Sequence, residues 1–525
     1  IPGSSQTTEA QTCIMDRDVN IALVSTHSHK NGDCTTLNAY SAEAAAITEV
    51  PFYVNKFWEA PPLLHFKRDQ LKLSTGDGIH YEPRWFKPWP VGKRASVRIA
   101  GHEYPFGDLY FDCSGIRIAF EICEDAWVAD RPGGNLFLKG VDIILNPSAS
   151  HFAFKKQQVR QRFVLEGSRA FGVTYVYSNL LGNEAGRAIY DGGALIASAG
   201  EMVSSTRRFS FLPFQVASAT VDLDLTRMGQ ARSASSDPRV EEDDSDRITV
   251  DLSYPEIPPE MPALEQPSWE QSRFHKEEEF LRAVAIGLFD YLRKSRSNGF
   301  VVSLSGGADS SAVACLVALT VHLAAEELGI GRLKSKLAHI PHLADQGTVP
   351  ELVGSLLSCV YQSTRNSSDR TRQAARSLAG ALSARFYEFD VDEIAESYEA
   401  LVSAQIGREL TWEEDDVALQ NIQARVRSPG IWLLANLRRA LLLSTSNRSE
   451  AAVGYATMDG DTSGGLSPIA GIDKAFLRQW LKWLEKHGPE GHGPLLALAP
   501  VNAQQPTAEL RPPDQEQTDE GDLMP

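Results

Sequence analysis

The chain has 525 residues, of which 42% are hydrophobic, and this is enough apolar material to bury a sizeable core. Its length predicts two or three domains. The net charge of −17 argues against a broad nucleic-acid or anionic-membrane surface, because the summed field repels phosphate groups. The apolar stretch 312–325 is interrupted by Thr320 and His322 and is too short to span a bilayer. We therefore expect a cytoplasmic protein without nucleic-acid or membrane partners.

The cysteines show neither zinc-site spacing nor the density of a disulfide framework. Most are expected to be small buried hydrophobes. The six are Cys13, Cys34, Cys113, Cys123, Cys315 and Cys359.

A change of composition between 229 and 270 predicts a domain boundary. Ser-rich sequence there passes into an acidic run, 241–246, and then into a Pro-rich segment, which together cannot bury a core. We predict a first domain over 1–228, an exposed connector over 229–270, a second domain over 271–490 and a C-terminal tail over 491–525.

The first domain is predicted to alternate strands with occasional helices. Ile116, Ile118, Phe120 and Ile122 alternate as in a strand. Continuous apolar runs at 141–145, 173–177 and 194–197 indicate buried strands, and 155–171 has helical composition. Such runs with helices between them predict sheets covered by helices, an α/β sandwich.

The second domain opens with an amphipathic helix whose apolar positions recur between Leu281 and Leu292. A strand over 299–304, a glycine turn and a helix to about Leu328 follow. This order is typical of a βα unit in a doubly wound parallel sheet.

The glycine turn carries a pattern suited to phosphate binding. Gly306 and Gly307 let the backbone approach a ligand closely, and the first turn of the next helix presents N–H groups to an anion. Ser305 and Ser310 add hydroxyl donors, while Asp309 supplies a carboxylate for Mg²⁺. No Gly-Lys-Ser/Thr follows, so the turn is not a Walker A loop. The alternative is a plain strand-to-helix turn in which Asp309 favours the helix start.

The run 305–310, Ser-Gly-Gly-Ala-Asp-Ser, resembles the pyrophosphate loop of the ATP pyrophosphatases. By itself this leaves GMP, asparagine and NAD synthetases open. Further matches at 421–427, 445–450, 454–457 and 468–474 resemble the NAD synthetases. One departure is Gly464-Gly465, where many relatives carry a carboxylate on the substrate side.

The resemblance to NAD synthetases implies a role for each matching residue. It implies ATP contacts for the glycine turn and Thr445, and a second Mg²⁺ ligand, beside Asp309, at Glu450. For the substrate deamido-NAD it implies binding by Asn421, Arg425 and Lys474.

A thiol at the end of the first predicted strand, Cys123, is a second candidate reactive group. A lone cysteine there would more often be an inert buried residue. However, the run 121–127, Glu-Ile-Cys-Glu-Asp-Ala-Trp, resembles the nucleophile motif of the nitrilase superfamily, in the glutaminase domain that is fused to NAD synthetase. Segments 78–86, 146–152 and 190–193 match as well. This resemblance implies a nitrilase-like α/β/β/α sandwich for the first domain.

In that family a Glu base, a Lys and a Cys act together. The resemblance implies Cys123 as nucleophile, Lys72 as oxyanion stabiliser and Glu82 as an auxiliary carboxylate. No glutamate within 1–71 has the usual setting of the general base, and 1–70 resembles nothing we can place, so we expect the natural protein to be longer.

Together the resemblances imply ATP-dependent amidation of deamido-NAD to NAD through an adenylate, with release of AMP and pyrophosphate and with ammonia drawn from glutamine. A second hypothesis is an ammonia-only NAD synthetase with an inactive glutaminase domain. A third is a regulatory subunit that binds nucleotide without turnover; the intact pair Asp309 and Glu450 argues against it. The family also implies a homo-oligomer.

Overall fold

The computed structural model describes residues 89–90, 93–184, 188–233, 244–254, 258, 264, 267–505 and 509–512, together with two short strands nearer the start of the chain. The strands are β1 Thr35–Leu37, β2 Tyr53–Asn55, β3 Ala95–Ile99, β4 His102–Phe106, β5 Tyr110–Cys113, β6 Ile116–Phe120, β7 Ile143–Ser148, β8 Thr174–Asn179, β9 Leu181–Glu184, β10 Ala188–Asp191, β11 Ala194–Ser198, β12 Glu201–Ser205, β13 Arg247–Val250, β14 Phe300–Ser303, β15 Leu357–Ser363, β16 Arg385–Asp390 and β17 Leu441–Leu443. The helices are α1 Gly133–Leu138, α2 Lys156–Ala170, α3 Leu223–Arg232, α4 His275–Ser295, α5 Ala308–Lys336, α6 Val349–Leu356, α7 Asp369–Ala381, α8 Asp392–Ile406, α9 Trp412–Arg425, α10 Arg427–Arg438, α11 Arg448–Val453, α12 Lys474–Lys486 and α13 Ala499–Asn502.

A seven-stranded sheet forms the centre of the first half, in the order β12-β11-β8-β7-β6-β5-β13. Its central strands β6, β7 and β8 are parallel, whereas β5 and β11 pair antiparallel with their neighbours in this group. Helix α2 covers one face, where Val164 packs in one apolar cluster with Ile144 and Tyr175. The mixed α/β class is confirmed; the second sheet of the predicted sandwich is not among the residues that the structure describes.

Strand β6 is confirmed, but its larger apolar residues do not face the helices. Ala119 is completely buried under them, while Phe120 on the opposite face is 42% exposed. Close packing of a helix on a strand favours a small side chain at the contact, and successive residues of a strand point to opposite faces. Alternation therefore identified the strand without identifying its buried side.

The interval predicted as a connector contributes to the first sheet. Strand β13 pairs in parallel with β5, from Arg247 opposite Tyr110 to Val250 opposite Cys113. Farther along, Trp269 is 5% exposed within an apolar cluster. The acidic and Pro-rich composition thus surrounds a strand that covers one edge of the sheet.

A four-stranded, wholly parallel sheet in the order β16-β15-β14-β17 forms the second half. Connections run outward from β14 in both directions, as expected for a doubly wound fold. Helix α5 is long and apolar enough to cross a membrane by length and composition alone, but most of that stretch is buried in the protein core. The predicted end of this helix near Leu328 coincides with a break at Gly329, whose φ is 73°.

A buried ionic cluster joins the two halves. Arg208, 4% exposed, contacts Asp191 of the first half at 3.3 Å, and Glu270 and Glu279 of the second at 2.7 and 2.9 Å. Burial alone lowers the pKa of Arg208, but the three carboxylates more than offset this effect and hold the pKa above its ordinary value. Asp191 also accepts from Arg160 at 2.7 Å, so the cluster continues into the first domain.

Candidate functional site

The glycine turn lies between β14 and α5, at the carboxyl edge of the second sheet. Gly306 has a φ of 84°, and a Cβ there would meet the carbonyl oxygen of Thr371 at 2.3 Å, so both conformation and space require glycine. The hydroxyls of Ser305 and Ser310 lie 3.0 Å apart. Helix α5 begins without a side-chain cap, which leaves its first N–H groups directed at the space beyond the turn.

Two carboxylates and an amine converge beside this turn. The Nζ atom of Lys474 lies 2.7 Å from Asp309 Oδ2 and 3.1 Å from Glu450 Oε1. Burial raises the pKa of Glu450, and the negative charge of Asp309 raises it further, while Lys474 partly offsets both effects. The structure thus brings together three sequence-predicted residues from distant parts of the chain.

Asn447 is a member of this group that sequence reasoning did not single out. Its Nδ2 donates to Asp309 Oδ1 at 2.9 Å, and its Oδ1 accepts from the N–H of Glu450 at 3.1 Å as the cap of α11. Asn447 therefore fixes both carboxylates relative to each other. The S/T/N-x-x-E pattern of a capping box, here 447–450, was the available signal.

A cavity of about 670 Å³ opens over these groups. The sequence-predicted residues that line it are Ser305, Gly307, Asp309, Ser310, Asn421, Thr445, Glu450 and Lys474. Thr445 follows β17, the parallel neighbour of β14, which explains why it reaches the same sheet edge as the glycine turn. Asn421 Oδ1 accepts from the hydroxyl of Thr457 at 3.0 Å, which holds α9 against the cavity wall.

The two arginines of the 421–427 motif have different surroundings. Arg425 is exposed, lies outside the cavity lining, and donates from Nε to the carbonyl oxygen of Met458 at 3.1 Å. Arg427 lines the cavity, where its hydrogen bonds to the Gln362 carbonyl and the Thr364 hydroxyl are both 3.4 Å long. Burial lowers the pKa of Arg427. It has no described ion pair, so its desolvated charge faces the cavity.

The end of the described chain closes one side of the cavity. Glu509 accepts from the hydroxyls of Ser368 and Thr371, at 2.7 and 3.0 Å, near the start of α7. Arg511 pairs with Asp416 at 2.8 Å. Both contacts hold the 509–512 segment against the cavity wall.

The candidate nucleophile lies in the first half, just after β6. Cys123 is half-buried and has a φ of 50°, a conformation that few residues other than glycine adopt. It begins a short 3₁₀ turn, Cys123–Trp127, that is stabilised by a 2.8 Å hydrogen bond from the N–H of Ile122 to Asp125. The position at the carboxyl end of a central parallel strand, on a sharp turn, is that expected of an exposed nucleophile.

The predicted partners of Cys123 cannot be placed beside it. Lys72 and Glu82 lie outside the described residues, as do all glutamates of 1–71. Their roles remain predictions from the sequence.

Comparison with known proteins identifies relatives that match most of the chain. A family model for NAD synthase matches residues 280–524. Glutamine-dependent NAD(+) synthetase of Bos taurus is 31% identical over 497 residues, which cover 87% of this chain and 68% of the bovine protein. The corresponding protein of Oryza sativa subsp. indica is 31% identical over 490 residues, 87% of this chain and 65% of the rice protein.

Solved structures agree with these relatives. The crystal structure of a glutamine-dependent NAD(+) synthetase from Cytophaga hutchinsonii matches with a TM-score of 0.65 and 41% identity, covering 84% of this chain and 65% of that one. A glutamine-dependent NAD+ synthetase from Acinetobacter baumannii, at 18% identity and a TM-score of 0.55, shares the fold. The chain belongs to the glutamine-dependent NAD(+) synthetase family. It spans about 65% of the length of the rice relative and of the Cytophaga structure.

Proposed function

We propose that this chain catalyses the ATP-dependent amidation of deamido-NAD to NAD, using ammonia that its first domain releases from glutamine. The observation that carries the proposal is the convergence of Asp309, Glu450 and Lys474 beside a glycine turn, in a member of this family. In the first step the nicotinate carboxylate attacks the α-phosphate of ATP, and pyrophosphate leaves. Ammonia then attacks the acyl carbon of the adenylate, AMP leaves, and the amide forms.

The chain contributes positioning and charge to these steps. The N–H groups at the start of α5 and the hydroxyls of Ser305 and Ser310 are placed to donate to phosphate oxygens. Thr445, Asn421 and Lys474 line the same cavity. We propose Thr445 as an ATP contact and the other two as contacts of the dinucleotide. We retain Arg425 as a substrate contact on the resemblance alone.

The acidic pair fits a magnesium ion. Asp309 and Glu450 offer hard oxygen donors, and burial together with the charge of Asp309 raises the pKa of Glu450, an effect that a bound cation would offset. Mg²⁺ bound there would offset the negative charge of the ATP phosphates. Lys474 forms ion pairs with both carboxylates, and Asn447 fixes their positions relative to each other.

In the first domain, the thiolate of Cys123 would attack the side-chain amide carbon of glutamine. A C–S bond forms, the C–N bond breaks and ammonia leaves; water then hydrolyses the thioester to glutamate and restores the thiol. Lys72 would stabilise the oxyanion and Glu82 would assist proton transfer, both on the basis of sequence resemblance. A glutamate not yet assigned would serve as the base.

An apolar stripe on α8 supports the proposal that the protein is a homo-oligomer. Its members are 46–60% exposed and share one helix face: Ile394, Tyr398, Leu401, Val402 and Ile406. A second copy of the chain is the proposed occupant. The mass in solution tests this, and a monomer at all concentrations would contradict it.

We also propose a cytoplasmic location. The buried cysteines Cys113, Cys315 and Cys359 are free thiols, which suits a reducing compartment. Fractionation of cells that produce the protein would test this.

The decisive experiment measures NAD formed from deamido-NAD, ATP and Mg²⁺, with either glutamine or ammonium as nitrogen donor. We expect activity with both donors. Cys123→Ala should abolish glutamine-supported activity and preserve ammonium-supported activity, because only the first needs the thiol. Cys113→Ala, which changes a buried thiol of the same domain, is the matched control. Ammonium-only activity of the unmodified chain would instead select the ammonia-only hypothesis, and no NAD with either donor would refute both.

A further inference from the structure

Glu121 is a buried acid two residues before Cys123 and has no part in the chemistry proposed above. Its relative exposure is 0%. Its N–H donates to the carbonyl oxygen of Leu145 at 3.1 Å, so the backbone here still belongs to the sheet. A carboxylate that is removed from water is costly unless it is fully paired.

Three donors from two separate segments of the first domain satisfy this carboxylate. One oxygen accepts from Arg131 Nη2 at 2.7 Å and from the hydroxyl of Tyr175 at 2.6 Å. The other accepts from the N–H of Gly133 at 2.7 Å. A Cβ on Gly133 would lie 2.3 Å from the ring of Phe171 and 2.8 Å from Glu121, so glycine is required for this approach.

The network continues to the end of the neighbouring strand. Tyr175 accepts at its hydroxyl from Asn146 Nδ2 at 3.1 Å, and Ser148 donates to Asn146 Oδ1 at 2.5 Å. Asn146 and Ser148 lie in β7, beside the strand that leads to the thiol. Glu121 therefore links the entry of the Cys123 turn to the adjacent strand end.

The turn itself needs such restraint. A residue other than glycine in the left-handed region costs about 1–3 kcal/mol and persists only where its surroundings determine it. On the exit side of Cys123, Asp125 restrains the turn through the N–H of Ile122. On the entry side the restraint is the Glu121 network. A displacement of the nucleophile by 1 Å costs about 100-fold in rate.

We infer that Glu121 is a positioning residue, which holds the Cys123 thiol in line with the glutamine amide through its bonds to Arg131, Tyr175 and Gly133. The inference rests on the proposed glutaminase function. It also predicts that Glu121 affects the turnover of bound glutamine rather than its binding.

The test compares Glu121→Gln with Glu166→Gln in the full chain. Glu166 is a matched control, because it is an exposed acid that pairs with Arg169 on α2. We expect Glu121→Gln to lower kcat for glutamine hydrolysis by about 100-fold, with KM for glutamine changed less than about threefold and with ammonium-supported NAD formation retained. The control should match the unmodified protein in all three.

Two results would overturn the inference. One is an unchanged kcat in a soluble Glu121→Gln protein. The other is a parallel fall of glutamine-supported and ammonium-supported activity with the melting temperature, which indicates a role in stability alone.

If Glu121→Gln does not fold, Tyr175→Phe removes one donor and leaves the pair with Arg131 intact. A several-fold fall in kcat at constant KM supports the inference in that variant, and an unchanged kcat refutes it. Absence of glutamine hydrolysis in the unmodified protein would be a different outcome, since it would refute the proposed function itself.

Discussion

The two halves of the molecule share a sharp backbone turn after a strand, but a different type of residue occupies it in each. In each, a residue with positive φ follows a parallel strand: Gly306 at 84° after β14 and Cys123 at 50° after β6. Gly306 has no room for a side chain, because a Cβ there would meet the carbonyl oxygen of Thr371. Cys123 keeps its side chain, which is the nucleophile in the function proposed above. The turn at the proposed nucleotide site is thus relieved of strain by glycine, whereas the turn that carries the proposed nucleophile must be held by its neighbours.

The largest expected effect tests how far the two halves depend on each other. Arg208→Met removes the buried cation between Asp191 on one side and Glu270 and Glu279 on the other. Loss of one partner from a buried pair costs about 3–5 kcal/mol, so the free energy of unfolding should fall by that amount. Chemical denaturation measures it.

Arg169→Met is the control for this change, because it breaks a solvent-exposed pair with Glu166 that contributes little to stability. Equal stability of the two variants would show that the halves do not rely on the cluster.

A smaller effect should separate NAD formation from glutamine hydrolysis. Asp309→Asn should lower NAD formation with both nitrogen donors by at least about 100-fold. Mutation of a residue that only supports a metal ligand lowers metal affinity or activity by about 10–100-fold, and Asp309 is a proposed direct ligand. Asp369→Asn, which changes an exposed carboxylate at the start of α7, is the control. Asp309→Asn should leave glutamine hydrolysis by the first domain in place. Normal NAD formation by this variant would exclude Asp309 from the site.

The smallest expected effect discriminates between the two arginines of one motif. Arg427→Gln should raise KM for ATP or for deamido-NAD roughly 10–100-fold, because a hydrogen bond to a charged group is worth about 1.5–3 kcal/mol. Arg425→Gln should change KM less, since Arg425 is exposed and donates to the carbonyl of Met458. Steady-state kinetics with ammonium as donor measure both. A larger effect at Arg425 would favour the sequence resemblance over the observed geometry.

Local features of the fold were predictable from the sequence, because their causes are local. The strand, glycine turn and helix around Gly306 follow from periodicity and turn chemistry over neighbouring residues. Strand β6 followed from alternation, although packing against a helix determined that Ala119 is the buried residue. Strand β13 was missed because its segment is acidic and Pro-rich around it, and pairing with β5 overrides that composition.

The site was predictable only where a motif carried it. Asp309 and Lys474 are 165 residues apart, and nothing in either neighbourhood shows that they meet at 2.7 Å. Resemblance placed both residues in one site but did not predict their ion pair. It assigned the substrate role to Arg425, whereas Arg427 lines the cavity, because two positions so close in sequence have opposite environments at the junction of α9 and α10. The Arg208 cluster had no motif, and its partners come from separate segments.

Strand β13 bears on how this protein can be divided into fragments. A gene cut at the composition boundary, after residue 228, would give an N-terminal product in which β5 has an open edge, prone to pairing with other molecules. Extending that product to 254 covers the edge of β5 again and restores the hydrogen bond from Tyr254 to the Cys113 carbonyl. It would still separate Arg208 from Glu270 and Glu279. We expect neither cut to yield two independently stable fragments. The two halves should therefore be most stable when they are produced as one polypeptide.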